Sequence, residues 1–378
     1  MLSGYVRQVA EIQGTWEKRF GAVRDALAQS LDDQDVGASA AVFVDGEPVV
    51  DIWGGYVDAA RTAAWERDTI VNVFSVSRTM LALCALVLAD RGDLDLDAPV
   101  ARYWPEFAAA GKQGVLVRHV LSHTAGLPDF DPVVTEEDLY DWPGATARLA
   151  AQVPRWEPGK LAGYHSVTQG FIVGEVIYRV TGLPVSAFFA QQVAGPLGAD
   201  FRFTVPAGDD RRFSPGIAPP GAPPDWRSAP PSDAPDGTEG RQGGIRLAVA
   251  NSPAWRRAEI PSGSGYGNAR SVAAVQSVLA CGGTVRGVRL MSSAGCERAG
   301  QVQYVGTDQL LGASMRYGMG YGIFDRSIGW GGWGGSLVMV DPAARMTVAY
   351  AMNQMLDHSP GDYRALGIVI AAYEGLQS

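Results

Sequence analysis

Strand-like alternation is confined to the two ends of this 378-residue chain, with a long helical stretch between them. Near the start, Ala40–Trp53 reads as a hairpin, two apolar runs around the Asp45-Gly46 turn. Near the end, Ser336–Asp341 and Met346–Met352 flank a turn at Pro342–Arg345. Strands this far apart share a sheet only if both ends of the chain meet. The economical topology is therefore one sheet from both termini with a helical insertion. The spacing predicts helices at Val23–Leu31, Ser75–Arg91 closed by Gly92, Ser271–Leu279 and Ser359–Leu376. The second is apolar almost all round, which marks a buried helix. The expected division is an α/β sheet domain from residues 1–70 together with 265–378, and an inserted, mainly helical domain over 71–264. A Pro- and Gly-rich stretch at about 205–240 reads as a surface loop, with a lid or substrate wall as the rival reading.

Composition narrows the function classes. Hydrophobic residues make up 47 %, enough for a sizeable core and too many for a disordered chain. Lys and Arg total 31 against 40 Asp and Glu, a formal charge of −9, so a nucleic-acid partner is not expected. Three scattered Cys and four scattered His form neither a disulfide framework nor a metal-ligand pattern. No stretch approaches the roughly 18 apolar residues of a membrane span, and the first residues lack a secretory h-region. The expectation is a cytoplasmic protein with no membrane span, no metal and no organic cofactor. Nothing in the sequence speaks to oligomeric state.

Three stretches could carry chemistry. Phe74-Ser75-Val76-Ser77-Arg78 heads the buried helix, where free N–H groups and the helix dipole would stabilise an alkoxide or oxyanion. Taken alone, Ser75 reads more simply as an N-cap. Tyr164-His165-Ser166 opens a second amphipathic helix, and a tyrosine beside a cation can transfer protons. The Gly329–Ser336 stretch holds five glycines and leads into a strand, so something approaches its backbone closely, a ligand or a helix.

In this order and at these distances the three stretches resemble the class C β-lactamase and penicillin-binding-protein superfamily, most of all its family VIII carboxylesterases. Val117–Pro128, Tyr164–Glu175 and Ser264–Arg270 extend the resemblance over almost the whole chain. It implies a β-lactamase/transpeptidase-like α/β (α+β) fold, an antiparallel sheet flanked by helices plus the inserted helical domain. Ser75 matches the nucleophile of the S-x-x-K motif. Tyr164 matches the tyrosine of the Y-x-S motif, with Ser166 in its third place. Trp330-Gly331-Gly332 stands where lactamases have K-T-G, and the backbone N–H groups of Ser75 and Trp333 would form the oxyanion hole. The implied function is a serine hydrolase of the carboxylesterase type, acting on a small-molecule ester or amide through an acyl-Ser75 intermediate. The loss of the K-T-G cation favours esters over penicillins. An acyltransferase of secondary metabolism is the alternative.

One position departs from the pattern. The S-x-x-K lysine should stand at 78, and this chain has Arg78. A desolvated Lys can shed its proton and serve as a base; Arg cannot. Three readings stay open: Arg78 holds Tyr164 as a phenolate base, the scaffold runs a different reaction, or the site is catalytically impaired. Lys160, four residues before Tyr164, is a possible substitute amine.

Overall fold

The computed structural model describes residues 11–228, 244–356 and 362–377. In chain order the main-sheet strands are β1 (Ile12–Trp16), β2 (Gly37–Val44), β3 (Glu47–Gly55), β4 (Tyr304–Thr307), β5 (Ser314–Tyr317), β6 (Gly322–Phe324), β7 (Ser327–Gly331), β8 (Leu337–Asp341) and β9 (Met346–Met352). Their spatial order is β1-β3-β2-β9-β8-β7-β6-β5-β4, antiparallel throughout. The β2–β3 hairpin turns at Asp45 and Gly46, both at positive φ, the geometry that suits the twist of a two-residue hairpin. The two ends of the chain meet where β2 pairs with β9, from Val44 opposite Met346 to Ala38 opposite Met352. Both strands are buried almost throughout, which accounts for their nearly continuous apolar runs.

The longer helices are α1 (Gly21–Asp33), α2 (Ser77–Arg91), α3 (Trp142–Ala151), α4 (Thr168–Thr181), α5 (Ala269–Ala280) and α6 (Tyr363–Gln377). Helix α5 packs on β2, β8 and β9, while α1 and α6 pack on each other and on the sheet. Helix α2 touches both α4 of the helical region and α5 of the sheet layer. Every residue from Ser77 to Leu88 is buried, and Gly92, at φ 82°, closes the helix. The head of α2 therefore lies at the junction of the two regions.

Three sequence expectations need adjustment. Strands β1 and β4–β6 carry no clear alternation because they are short and partly exposed, and β7 carries none because it is buried almost throughout. The Gly-rich stretch does not merely lead into a strand: Trp330 and Gly331 end β7, and Gly332–Ser336 turns the chain into β8. Strand character survives the glycine at 329 because β8 leaves no room for a side chain; a Cβ there would sit 2.1 Å from the Val338 carbonyl oxygen. The last helix begins at Tyr363. Of the Pro- and Gly-rich stretch, residues 229–243 lie outside the described residues, and the preceding part carries one short 3₁₀ turn, Ala207–Arg212. Among the described residues no single helix is long and apolar enough to cross a membrane.

A buried charge network ties the two termini to the sheet end nearest α2. Arg364 on α6 donates to Asp35 Oδ1 at 2.6 Å and to both oxygens of Asp362. It also donates to the carbonyls of Gln354 (2.9 Å) and Gly334 (2.5 Å). Ser30 and Tyr350 donate to the second oxygen of Asp35. Arg364→Met should cost about 3–5 kcal/mol, because it strands a buried carboxylate. Urea unfolding should also show the double variant Arg364→Met/Asp35→Asn to be more stable than Arg364→Met alone.

Candidate active site

The turn that carries Ser75 is strained. Phe74 sits at φ 46°, a left-handed conformation that is costly for a bulky side chain, of order 1–3 kcal/mol. Asn72 holds it there: its Oδ1 accepts from the N–H groups of Phe74 (3.0 Å) and Gly265 (3.2 Å), and its amide donates to the Gly263 carbonyl. Ser75 then falls in a 3₁₀ turn, Phe74–Val76, one turn before α2 begins. It is not an N-cap. That place belongs to Val76, and the Ser75 hydroxyl bonds to side chains instead of backbone.

Those side chains are Tyr164 and Arg78. The Tyr164 hydroxyl donates to Ser75 Oγ at 2.7 Å, and Arg78 Nη2 donates to Ser75 Oγ at 3.3 Å and to the Tyr164 hydroxyl. Arg78 is 1 % exposed, yet among the described residues no carboxylate pairs with it. Neutral acceptors surround it. Gln169 Oε1 on α4 takes Nη1 at 2.8 Å, and the carbonyls of His165, Ser166 and Ser262 take the remaining Nη donors at 3.1–3.5 Å. The guanidinium also lies 4.5 Å from the Tyr164 ring centroid and 5.4 Å from that of Trp330, within cation–π range. Burial pushes the Arg78 pKa down, against the pull of Tyr164 and Tyr317, but Arg stays charged in proteins.

The other positions singled out from sequence are placed as follows. Trp330 is buried and stacks on Tyr164 (5.6 Å, 16°) and on Tyr317, so it backs the tyrosine rather than presenting a polar group. The close approach anticipated for the glycines is to the Ser75 turn itself. A Cβ on Gly332 would lie 2.2 Å from the Val73 carbonyl oxygen, whereas one on Gly331 would meet only Ser336 O at 3.8 Å. Ser336 Oγ donates to the same Val73 carbonyl at 2.8 Å and ties the two turns together. Trp333 follows in that turn, and among the described residues no backbone carbonyl takes up its N–H. Ser166 is exposed and meets Arg78 through its carbonyl, not its hydroxyl. Lys160 is exposed in the loop before Tyr164 and makes no contact with Ser75.

Sequence reasoning missed the supports of this cluster. Asp308, fully buried, accepts from the Tyr164 N–H at 3.1 Å and from the Tyr317 hydroxyl at 2.7 Å, fixing where Tyr164 enters the site. Gln169 turns its oxygen to Arg78 because its amide donates to the carbonyls of Val120 and Leu121. His123 and His165 are buried beside the cation. His165 shares its Nδ1 proton with the Gly163 carbonyl at 2.6 Å and accepts at Nε2 from the Leu127 N–H. Burial, with Arg78 adding repulsion, holds His165 down to about 3 and His123 well below the usual histidine range. Gln169 lies in the first turn of α4, whereas Tyr164 precedes that helix, so helical spacing does not link them; Asp308 carries no local signal either.

The comparisons with known proteins agree with one another. The family model described as Beta-lactamase matches residues 23–373. The esterase/beta-lactamase LipL of Mycobacterium tuberculosis is 33 % identical over 363 residues, covering 91 % of this chain and 83 % of that protein. The crystal structure of a family VIII carboxylesterase superposes with a TM-score of 0.90 at 38 % identity, over 97 % of this chain and 100 % of the other. A penicillin-binding-protein homologue from Caulobacter crescentus superposes at 0.86 with 33 % identity, over the same shares of each chain.

The two histidines generate a pH prediction. Their folded pKa values lie below the unfolded value near 6.5, so the unfolded chain binds more protons in acid. Their contribution is intact above about pH 6.5 and is lost as pH falls toward 3, at about 1.4 kcal/mol per pH unit for each histidine. Urea midpoints from pH 6 to 4 should fall less steeply for His165→Gln than for the parent, by about 1 kcal/mol per unit.

Proposed function

This chain belongs to the beta-lactamase family of serine hydrolases, and from that premise we propose that it is an esterase acting through an acyl-Ser75 intermediate. The observation that carries the reading is the 2.7 Å contact between Ser75 Oγ and the Tyr164 hydroxyl, both bonded to Arg78. Tyr164 serves as the base in its phenolate form, with the Arg78 guanidinium as its permanent counter-charge. The Ser75 proton passes to the Tyr164 oxygen as Oγ attacks the ester carbonyl carbon, and the carbonyl electrons move onto oxygen. The oxyanion is received by the N–H groups of Ser75 and Trp333. Collapse breaks the bond to the alcohol, which leaves with the proton from Tyr164. Water then repeats the sequence on the acyl-enzyme and restores Ser75 and the phenolate.

Trp330 in place of a lysine removes the cation that would meet a β-lactam carboxylate, and its burial against Tyr164 leaves esters as the better-matched substrates. The fit of Arg78 argues against an accidental replacement. Its two terminal nitrogens are shared among acceptors from separate segments, a fork that a single ammonium cannot reproduce.

Two variants test the proposal. Ser75→Ala should abolish both acylation by p-nitrophenyl esters, read by intact-protein mass, and their turnover, while the thermal midpoint stays within a few degrees. Unchanged hydrolysis would refute the acyl-enzyme. Arg78→Lys should lower the acylation rate by at least about tenfold, at the low end of what a general base contributes. A tenfold gain would mean instead that the chain has lost an amine base and that Arg78 merely impairs the site.

A further inference from the structure

Three consecutive backbone N–H groups around Tyr164 are taken up by two buried residues remote in sequence. The Gly163 N–H donates to the His123 carbonyl at 3.0 Å, the Tyr164 N–H to Asp308 Oδ1 at 3.1 Å, and the His165 N–H to His123 Nδ1 at 3.1 Å. The Gln309 N–H adds a bond to the Ala162 carbonyl at 2.8 Å.

His123 sits at φ 61°, a left-handed conformation uncommon outside glycine, two residues after the short helix Val117–Leu121. From there its carbonyl and its Nδ1 both reach the Gly163–His165 segment. Because Nδ1 accepts an N–H, the ring proton stands on Nε2, which has no hydrogen-bond partner among the described residues. The side chain thus spends its hydrogen bonding on His165. Burial, with Arg78 and His165 adding repulsion, favours this neutral ring. On the other side, Asp308 Oδ1 also accepts from the Leu310 and Leu311 N–H groups at 2.9 Å each. Its Oδ2 accepts from the Tyr317 hydroxyl at 2.7 Å, so the carboxylate has a set direction.

The held segment supplies more than the tyrosine. Arg78 donates to the Tyr164 hydroxyl and to the carbonyls of His165 and Ser166. A shift of this backbone would move the proposed base and the acceptors of its counter-charge together. The Tyr164 oxygen ends a long side chain, so a small turn at the backbone is magnified there, and a misplacement of about 1 Å can cost about 100-fold in rate. We propose that His123 is a positioning residue of the acylation step: with Asp308 it clamps the Gly163–His165 backbone and so sets the Tyr164 hydroxyl on Ser75 Oγ. The proposal rests on the reading of Tyr164 as the base and adds the residues that hold that base in register.

The His123 ring also packs on that of Tyr164, at 5.1 Å, so ring and nitrogen must be separated. His123→Phe keeps a ring and loses the Nδ1 acceptor. His123→Asn loses the ring, keeps an acceptor oxygen at the δ position and tolerates positive φ. Acylation by p-nitrophenyl acetate is followed through the first release of p-nitrophenol and the acetyl mass added to the protein. In it Ser75 Oγ bonds to the acyl carbon, the bond from that carbon to the aryl oxygen breaks, and p-nitrophenol departs with the proton that Ser75 gave up. His123→Phe should lower the saturating acylation rate at least about tenfold, while the ester concentration at half-saturation changes less than about threefold. His123→Asn should recover most of the loss. Asp308→Ala and Asp308→Asn should repeat the pattern, so a variant that fails to fold at one position leaves the other to decide. Combined with Tyr164→Phe, neither His123→Phe nor Asp308→Ala should add more than about twofold to the loss, because nothing is left to position. Unchanged rates in His123→Phe and Asp308→Ala would overturn the clamp and leave the esterase reading standing. So would Asn variants no faster than these, or losses that multiply in the Tyr164→Phe background. Full-rate acylation by Tyr164→Phe would remove Tyr164 as the base, and the proposal with it. Absence of any Ser75 adduct in the parent protein would remove the acyl-enzyme itself.

Discussion

A guanidinium buried with no carboxylate partner among the described residues is the constraint around which this site is organised. Arg78 cannot lose its charge, and an isolated charge in a protein interior is costly unless every donor is met. The chain meets the terminal donors with neutral groups from four places: the Ser75 turn, the Tyr164–Ser166 entry to α4, Gln169 within α4, and Ser262. Two aromatic faces add their quadrupoles. The absent carboxylate matters for chemistry as well as for stability. An acidic partner would neutralise the cation, whereas here its field falls on Tyr164, Ser75 and two histidines that it helps to keep neutral.

Lysine and arginine solve different problems at this position. An ammonium is a compact charge that burial can turn into an amine, which suits a proton carrier. A guanidinium keeps its proton but spreads five donors over a rigid plane, which suits a scaffold that must hold several oxygens at once. With the proton-carrying role closed to residue 78, the titratable group besides Arg78 that hydrogen-bonds Ser75 Oγ among the described residues is Tyr164. The proposed mechanism divides the labour accordingly: in it the tyrosine moves the proton and the arginine keeps the charge.

What could be read in the sequence was what depends on neighbours along the chain. The hairpin at Asp45-Gly46, the buried helix ended by Gly92 and the closing β8–β9 hairpin each carry a local signal in periodicity or turn chemistry. Ser75, Arg78, Tyr164 and the Trp330–Gly332 stretch were legible through their motif order, and the structure brings them together. The supports were not legible. Asp308 reaches Tyr164 across 144 positions, and Trp226 meets Trp333 from a stretch whose Pro and Gly content suggested a surface loop, with a lid or substrate wall as the rival reading. Such residues look like ordinary loop polar or aromatic side chains until the tertiary fold gives them partners. The ambiguity at Ser75 was of the same kind, because cap and nucleophile share a local sequence and differ only in what faces them.

The site is therefore a product of long-range closure rather than of any one segment. The strained Phe74 turn comes from the start of the helical region, and the Gly332–Ser336 turn joins two middle strands of the sheet near the other end of the sequence. A single hydrogen bond from Ser336 to the Val73 carbonyl spans 263 positions to set their spacing. That turn is held in turn by Arg364 on α6, whose carboxylate partners lie just before that helix and just beyond α1. The Ser336 contact, like the β2–β9 pairing, joins the early part of the chain to its last part. Loop-closure entropy makes such contacts the last to be favourable. Strain at Phe74 is tolerable for the same reason: the energy that holds it comes from contacts across the whole molecule, and a partly folded chain would have no means of keeping Ser75 in place.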